Sequence, residues 1–271
     1  MDNFYYSLAS GSSGNCGLLA LDGTYILIDL GVSVRRLTGL LAGLGLTIDD
    51  LDAVLLTHEH IDHIKGMATF VKRHSVPLYT AIGTAEVLLS KFPQANDHLR
   101  PFYSGANFTV GNVKVYAFPT PHDAAESTGY RFEADGMRVG YATDLGFVPT
   151  PVREALLGCS TVVLESNHDP EMLRTGPYPY ALQQRVAGPR GHLSNPDCAK
   201  LAVELVQNGT SQLMLAHLSD KNNTPGHARL ETEAALRAAG LSCTILVAPK
   251  DEMEQPLLLT REEACVCCPS A

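Results

Sequence analysis

The stretch Leu55-Leu56-Thr57-His58-Glu59-His60-Ile61-Asp62-His63 sets four metal-binding side chains close together. It continues an apolar run, Ala53-Val54-Leu55-Leu56, that reads as a buried strand, and it precedes Lys65 to Arg73, which reads as a helix. A strand that opens through a turn into a helix is where α/β proteins put functional sites. His58 and His60 stand two residues apart, so in an extended turn their side chains point the same way. Asp62 and His63 follow a bend and face a different point. The pattern predicts a pair of metal ions held by His58, His60, Asp62 and His63, rather than a surface loop that happens to be rich in histidine.

The same address, the end of an apolar strand or the turn just after it, recurs along the chain. A strand over Asn112 to Phe118 runs into His122, and Ile26-Leu27-Ile28 ends at Asp29. A hairpin of Gly129 to Ala134 and Met137 to Ala142 turns at Asp135-Gly136 and delivers Asp144. Gln212 to Ala216 is followed by His217. His122 is expected to complete the first metal and His217 the second. Asp144 is expected to bridge them, because a carboxylate between cations about 3.5–4 Å apart lowers their repulsion. Such a pair can bring the pKa of a water from 15.7 towards ~7, giving hydroxide at neutral pH, aimed at phosphorus or a carbonyl carbon. Imidazole and carboxylate donors suit zinc or manganese, with iron as a further option; no cysteine is among them.

Asp29 is read either as a partner that orients a metal-bound histidine or as a cap for a helix over Val34 to Leu44. A leaving group also needs a proton, and His192 and His168 are histidines that the metals do not consume; histidine titrates near neutral pH. Gly191-His192-Leu193-Ser194-Asn195-Pro196 leads into a helix over Asp197 to Gln207, with Asn195 read as its N-cap. The loop Ser10-Gly11-Ser12-Ser13-Gly14-Asn15 could present backbone N–H groups to an anion, which makes Ser13 and Asn15 substrate-side candidates; an ordinary hairpin loop fits equally. His74, His98 and His227 read as surface residues.

Of the 271 residues, 45% are hydrophobic and 18% charged, ordinary for a globular chain. No apolar run is long enough to span a bilayer, so no membrane partner is expected. The N-terminus shows no basic segment followed by an apolar core, so no secretory signal is read there. The seven cysteines are an odd number, and Cys16, Cys159, Cys198 and Cys243 lie scattered through apolar segments, which suits reduced thiols in a cytoplasmic protein rather than a disulfide frame. The formal net charge of −9 gives no basic face of the kind that coats nucleic acid. A phosphodiester substrate would rely on bound metals and a local patch, for which Arg35-Arg36, Lys72-Arg73-His74 and Arg185 with Arg190 are candidates.

Residues 1–260 are expected to form one hydrolase domain and residues 261–271 a disordered tail. Lys91 to Asn107 reads as an irregular surface excursion. Two halves, each of strand hairpins followed by helix and strand, would face each other as a sandwich of two sheets with helices outside. Cys265-Val266-Cys267-Cys268 in the tail lacks a second ligand pair for a metal site.

The ordered set Thr57-His58-x-His60-x-Asp62-His63, then His122, Asp144 and His217, resembles the metallo-β-lactamase fold hydrolases. Within them the chain looks like the bacterial YycJ/WalJ-like proteins. The stretches that carry this are Ser10 to Asn15, Thr143-Asp144-Leu145-Gly146, Glu165-Ser166-Asn167-His168-Asp169, Gly191 to Asn195, and His217-Leu218-Ser219 with Asn222-Asn223-Thr224-Pro225. They are similar also to RNase Z, where a histidine placed like His192 assists phosphodiester cleavage. The resemblance implies an α/β fold, the four-layer αβ/βα sandwich, with two divalent metals and 5′→3′ exonuclease activity on DNA, with RNA as a further substrate. No appended nucleic-acid-binding arm is seen. Position 60 is His, not the Glu that resembles the redox di-iron branch. Oligomeric state is left open, with a homodimer as one option. The competing readings are hydrolysis of a small ester, thioester or cyclic phosphodiester on the same metals, and a metal-binding regulator without turnover. A barrel amidohydrolase is disfavoured by the opening hairpins.

Overall fold

The computed structural model describes residues 2–260, so the Cys265 to Cys268 cluster and the tail expectation lie outside the described residues. The first half of the chain runs β1 (Phe4–Ala9), β2 (Cys16–Leu21), β3 (Thr24–Ile28), α1 (Val34–Gly43), β4 (Ala53–Leu55), α2 (Ile61–Ile64), α3 (Met67–Arg73), β5 (Leu78–Ala81), α4 (Ile82–Lys91) and β6 (Leu99–Phe102). The second half runs β7 (Asn107–Val110), β8 (Val113–Pro119), β9 (Thr128–Ala134), β10 (Met137–Ala142), α5 (Thr150–Leu156), β11 (Thr161–Glu165), α6 (Pro170–Thr175), α7 (Tyr180–Val186), α8 (Asn195–Gln207), β12 (Gln212–Ala216), α9 (Pro225–Ala238), β13 (Thr244–Val247) and β14 (Leu257–Leu258). One sheet has the order β14-β1-β2-β3-β4-β5-β6 and the other β13-β12-β11-β10-β9-β8-β7.

The sandwich follows from the period-two alternation of apolar strands. Ile26 and Ile28, Ala53 and Leu55, Val163, and Met214 with Ala216 point into the layer between the sheets. Their neighbours Leu27 and Val54 face the first sheet's helices, and Val162, Leu164, Leu213 and Leu215 face those of the second. Strands apolar on both faces are what a sheet covered on both sides requires. The result is two mixed sheets between outer helices, the four-layer α/β arrangement expected. No helix among the described residues is long and apolar enough to cross a membrane.

Pairs β3–β4 and β10–β11–β12 are parallel, so the ends of β3, β4, β10, β11 and β12 open at matching positions of the two sheets. At three of these ends a residue one or two positions past the strand takes a left-handed backbone: Asp29 (φ 64°), Asp144 (φ 61°) and His217 (φ 58°). Asp and His tolerate this region better than most residues, and it turns the side chain out of the sheet plane into the gap between the sheets.

Several boundaries differ from the sequence expectation. The helix expected over Lys65 to Arg73 is broken into α2 and α3, because Leu30 to Val32 passes against Gly66, whose N–H donates to Leu30 O at 2.8 Å. The excursion expected over Lys91 to Asn107 contains β6, an edge strand whose Pro101 and outward Arg100 hide the strand signal. The cap of α8 is Ser194, which accepts from Asp197 N at 3.3 Å; Asn195 lies inside the first turn. Asp29 does not cap α1, a role taken by Ser33.

Candidate metal centre

The loop after β4 keeps its extended course through His60, so His58 and His60 face inward while Glu59 faces the other way. The Glu59 carboxylate accepts from Ala125 N at 2.8 Å and Thr84 Oγ1 at 3.3 Å, which ties the loop to α4 and to the segment after His122. The chain then turns into α2 and presents Asp62 and His63. The Ser/Gly loop buttresses this turn: Asn15 N donates to Asp62 O at 2.7 Å and Gly31 N to Asn15 O at 2.8 Å. A Cβ on Gly31 would lie 1.8 Å from Asp62 O, so only glycine allows the three segments to meet.

Two triads form. His58, His60 and His122 lie together, with His122 Nε2 3.3 Å from His60 Nδ1. Asp62, His63 and His217 form the other, with Asp62 Oδ2 3.4 Å from His63 Nε2 and 3.6 Å from His217 Nε2. Asp144 lies between them: Oδ1 is 3.6 Å from His122 Nε2 and Oδ2 is 3.6 Å from His63 Nε2. All seven residues named from the sequence are therefore brought together, four from the first half of the chain and three from the second.

The outward nitrogens of four rings are engaged by the fold. His63 Nδ1 donates to Asp29 Oδ2 at 2.8 Å, and Thr57 Oγ1 links His58 Nδ1 (3.0 Å) to the same carboxylate. His122 Nδ1 is 3.0 Å from Gly191 O, and His217 Nδ1 donates to Glu165 Oε1 at 2.8 Å. Each of these bonds fixes the ring and leaves Nε2 for the centre, as the outer partners of metal-bound histidines do. What remains inside is unsatisfied: His58 Nε2, His217 Nε2 and Asp144 Oδ2 are buried with no hydrogen-bond partner among the described residues. Buried polar atoms are rarely left so. Three of them converging from imidazole and carboxylate fit divalent cations with nitrogen and oxygen preference, and the seven donors include no thiolate.

The electrostatics agree. Burial and the neighbouring imidazoles push His58 well below the usual histidine range. Burial would lower His63 too, but Asp29, Asp144 and Asp62 outweigh it and raise it to about 10. Burial opposes ionisation of Asp144, yet the surrounding imidazoles, His217 first, hold it well below the carboxylate range.

The remaining predicted residues divide. His192 lines a cavity of about 230 Å³ that opens on the centre, with its Nδ1 2.9 Å from Glu165 Oε1. His168 is buried, its carbonyl accepts from Asn195 N at 2.9 Å, and it does not line that cavity. Asn15 reaches the centre through Nδ2, 3.2 Å from Asp62 Oδ2 and 3.1 Å from His63 Nε2. Ser13 is exposed and away from it; Ser12 lines the cavity instead. Asn195 is buried behind the site, accepting from Ser166 Oγ at 2.7 Å and Asn223 Nδ2 at 2.8 Å. It fixes the loop after β11 and is not at the cavity wall.

Glu165 was not singled out from the sequence. It is fully buried, accepts from His192, His217, Leu145 N (2.6 Å) and Leu193 N (3.1 Å), and so joins four segments. Burial alone would raise its carboxyl; the His192 and His217 imidazoles outweigh this and hold it down to about 2. It closes a strand as Asp29 nearly does, and that shared address was the available signal. Asp123, beside His122, was also passed over; it too lines the cavity. Of the basic candidates, Arg36 is engaged by Asp251 at 3.0 Å, whereas Arg185 lines the cavity and Arg190 Nε donates to His122 O at 3.1 Å.

A model of the β-lactamase superfamily domain matches residues 24–218. Exodeoxyribonuclease YycJ of Bacillus anthracis is 35% identical over 236 residues, covering 86% of this chain and 89% of its own. Exodeoxyribonuclease WalJ of Streptococcus pneumoniae is 35% identical over 244 residues, 88% and 90% of the two chains. The solved metallo-β-lactamase fold protein YhfI from Bacillus subtilis matches 93% of this chain and 100% of its own with a TM-score of 0.70 at 17% identity, a likeness of fold.

Proposed function

The chain belongs to the β-lactamase superfamily, in the branch of the YycJ and WalJ exodeoxyribonucleases, and from that premise we propose that it is a dinuclear metal-dependent phosphodiesterase, an exonuclease that shortens DNA from the 5′ end. The observation that carries the reading is the pair of triads with Asp144 between them and three buried atoms that have no hydrogen-bond partner among the described residues. His58, His60 and His122 would hold one cation, Asp62, His63 and His217 the other, and Asp144 both; zinc or manganese suits these donors, with iron a further option. Bound there, the pair would supply positive charge beside a phosphate and acidify a water.

The chain's own residues support the rest. His192 is the proton donor to the leaving oxygen. Glu165 holds its Nδ1 at 2.9 Å, which fixes the ring and leaves Nε2 for the substrate. Because the same Glu165 oxygen also orients His217, the proton donor and the second triad are positioned by one rigid carboxylate. Asp29 does the same for His63 and, through Thr57, for His58. Cys16, Cys198 and Cys243 are free thiols, which suits a cytoplasmic enzyme.

A small cyclic phosphodiester or ester is the second reading, favoured by the narrow cavity and the net charge of −9. End-labelled single- and double-stranded DNA and RNA, incubated with manganese, zinc or magnesium, separate the two. Stepwise loss from 5′ ends of DNA is expected. Turnover of bis(p-nitrophenyl) phosphate with no cleavage of any polymer would overturn the exonuclease in favour of the small substrate.

A further inference from the structure

Of the described residues lining the cavity, Arg185 is the only Lys or Arg, facing a wall that carries Asp62, Asp123 and Asp144. Its Nε donates to Asp123 Oδ2 at 2.6 Å. The other oxygen, Asp123 Oδ1, is buried without a hydrogen bond among the described residues and lies 3.4 Å from His122 Nε2 and 3.8 Å from His60 Nε2. The Asp123 carboxylate therefore stands between the guanidinium and the first triad. Arg185 is offset from the reacting position by the width of that carboxyl group. Its side chain is 62% exposed, so an incoming anion can reach the guanidinium.

An anion reaching the centre changes this balance. Asp123 is the resting partner of Arg185, and a phosphate oxygen can take its place, because a guanidinium pairs with phosphate as well as with carboxylate. The offset decides which phosphate it takes. The scissile group belongs between the triads; the group that falls at Arg185 is its neighbour along the strand. The cavity wall next to Arg185 is apolar, made by Tyr178, Leu182 and Val186, and offers a surface for the intervening sugar and base.

We infer that Arg185 binds the phosphate adjacent to the scissile one, exchanging Asp123 for it, and that this contact selects a nucleic-acid strand over an isolated phosphodiester. This rests on the phosphodiesterase reading above. Arg185 is a binding residue here and takes no part in bond breaking.

The test uses thymidine dinucleotides carrying an extra 5′ phosphate, an extra 3′ phosphate or neither, with bis(p-nitrophenyl) phosphate as a substrate that has no neighbouring phosphate. The wild-type protein should favour one phosphorylated dinucleotide, and which one identifies the side on which the neighbour lies. Arg185→Gln should raise KM for that dinucleotide roughly ten- to a hundredfold, the size of one charge-assisted hydrogen bond, with kcat little changed. Turnover of bis(p-nitrophenyl) phosphate, which has no neighbouring phosphate to lose, should fall by much less than that of the preferred dinucleotide. Arg185→Lys should restore part of the loss. Equal KM for all three dinucleotides in the wild type, or a preference that Arg185→Gln leaves intact, overturns the inference alone. Chelator-sensitive turnover of bis(p-nitrophenyl) phosphate without cleavage of any dinucleotide overturns the nuclease reading, and the inference with it.

Discussion

Asp144 has one oxygen towards His122 and the other towards His63, so the proposal of two cations rather than one depends on this residue. Two further residue-level predictions concern protons. His192→Ala should lower kcat by about 10²–10⁴-fold and leave metal content unchanged, measured by single-turnover cleavage beside elemental analysis. Glu165→Gln should cost rate through both His192 and His217. Its effect combined with His192→Ala should therefore fall well short of the product of the two, and full multiplicativity would show that they act separately. The pH dependence has a definite sign. His63, raised to about 10 in the metal-free fold, contributes stability that is fully present below its ordinary 6.5 and is lost as pH rises through about 10. A cation must displace that proton. Metal affinity should therefore rise with pH between about 6.5 and 10, on the order of tenfold per unit for each proton displaced. Calorimetry in buffers of different ionisation heat would detect the released proton, and its absence would contradict the assignment of His63.

At the scale of elements, the centre is a set of strand ends, and this is why so much of it could be read from the chain. A ligand directly after an apolar run is visible in sequence, and His58, Asp144 and His217 all have that form. Asp29 and Glu165 have it too, but a carboxylate at a strand terminus has the same appearance whether it caps a helix or braces a ring. Only the fold shows that Glu165 reaches His192, 27 residues further on. His168 and Asn195 show the opposite case. They belong to polar runs that promise chemistry, yet the backbone pairing of His168 with Ser194 turns both towards the loop's interior. The edge strands β6 and β7 were lost because they lack the apolar alternation of buried strands. Two glycines test the geometry. Gly31→Ala drives a Cβ into Asp62 O and should destabilise by at least about 1–3 kcal/mol while weakening the second metal. Gly39→Ala, in α1 with nothing within 4 Å, should instead stabilise by about 0.5–1 kcal/mol. Thermal melts of the two variants should move in opposite directions.

Across the whole molecule, neither half of the chain holds a complete triad pair. His58, His60, Asp62 and His63 come from the first sheet's side, and His122, Asp144 and His217 from the second's. Cations bound between them would act as a clamp across the sandwich. Binding only to the folded state stabilises by about 2.7 kcal/mol at a hundredfold excess over Kd, so a chelator should lower Tm measurably. The measurement closest to the central claim is metal stoichiometry by native mass spectrometry on the wild type and on His60→Ala, His217→Ala and Asp144→Ala. Two cations per wild-type chain, and at least one lost in each variant, is the predicted result. A wild type that never binds more than one cation, or variants that keep two, would contradict it.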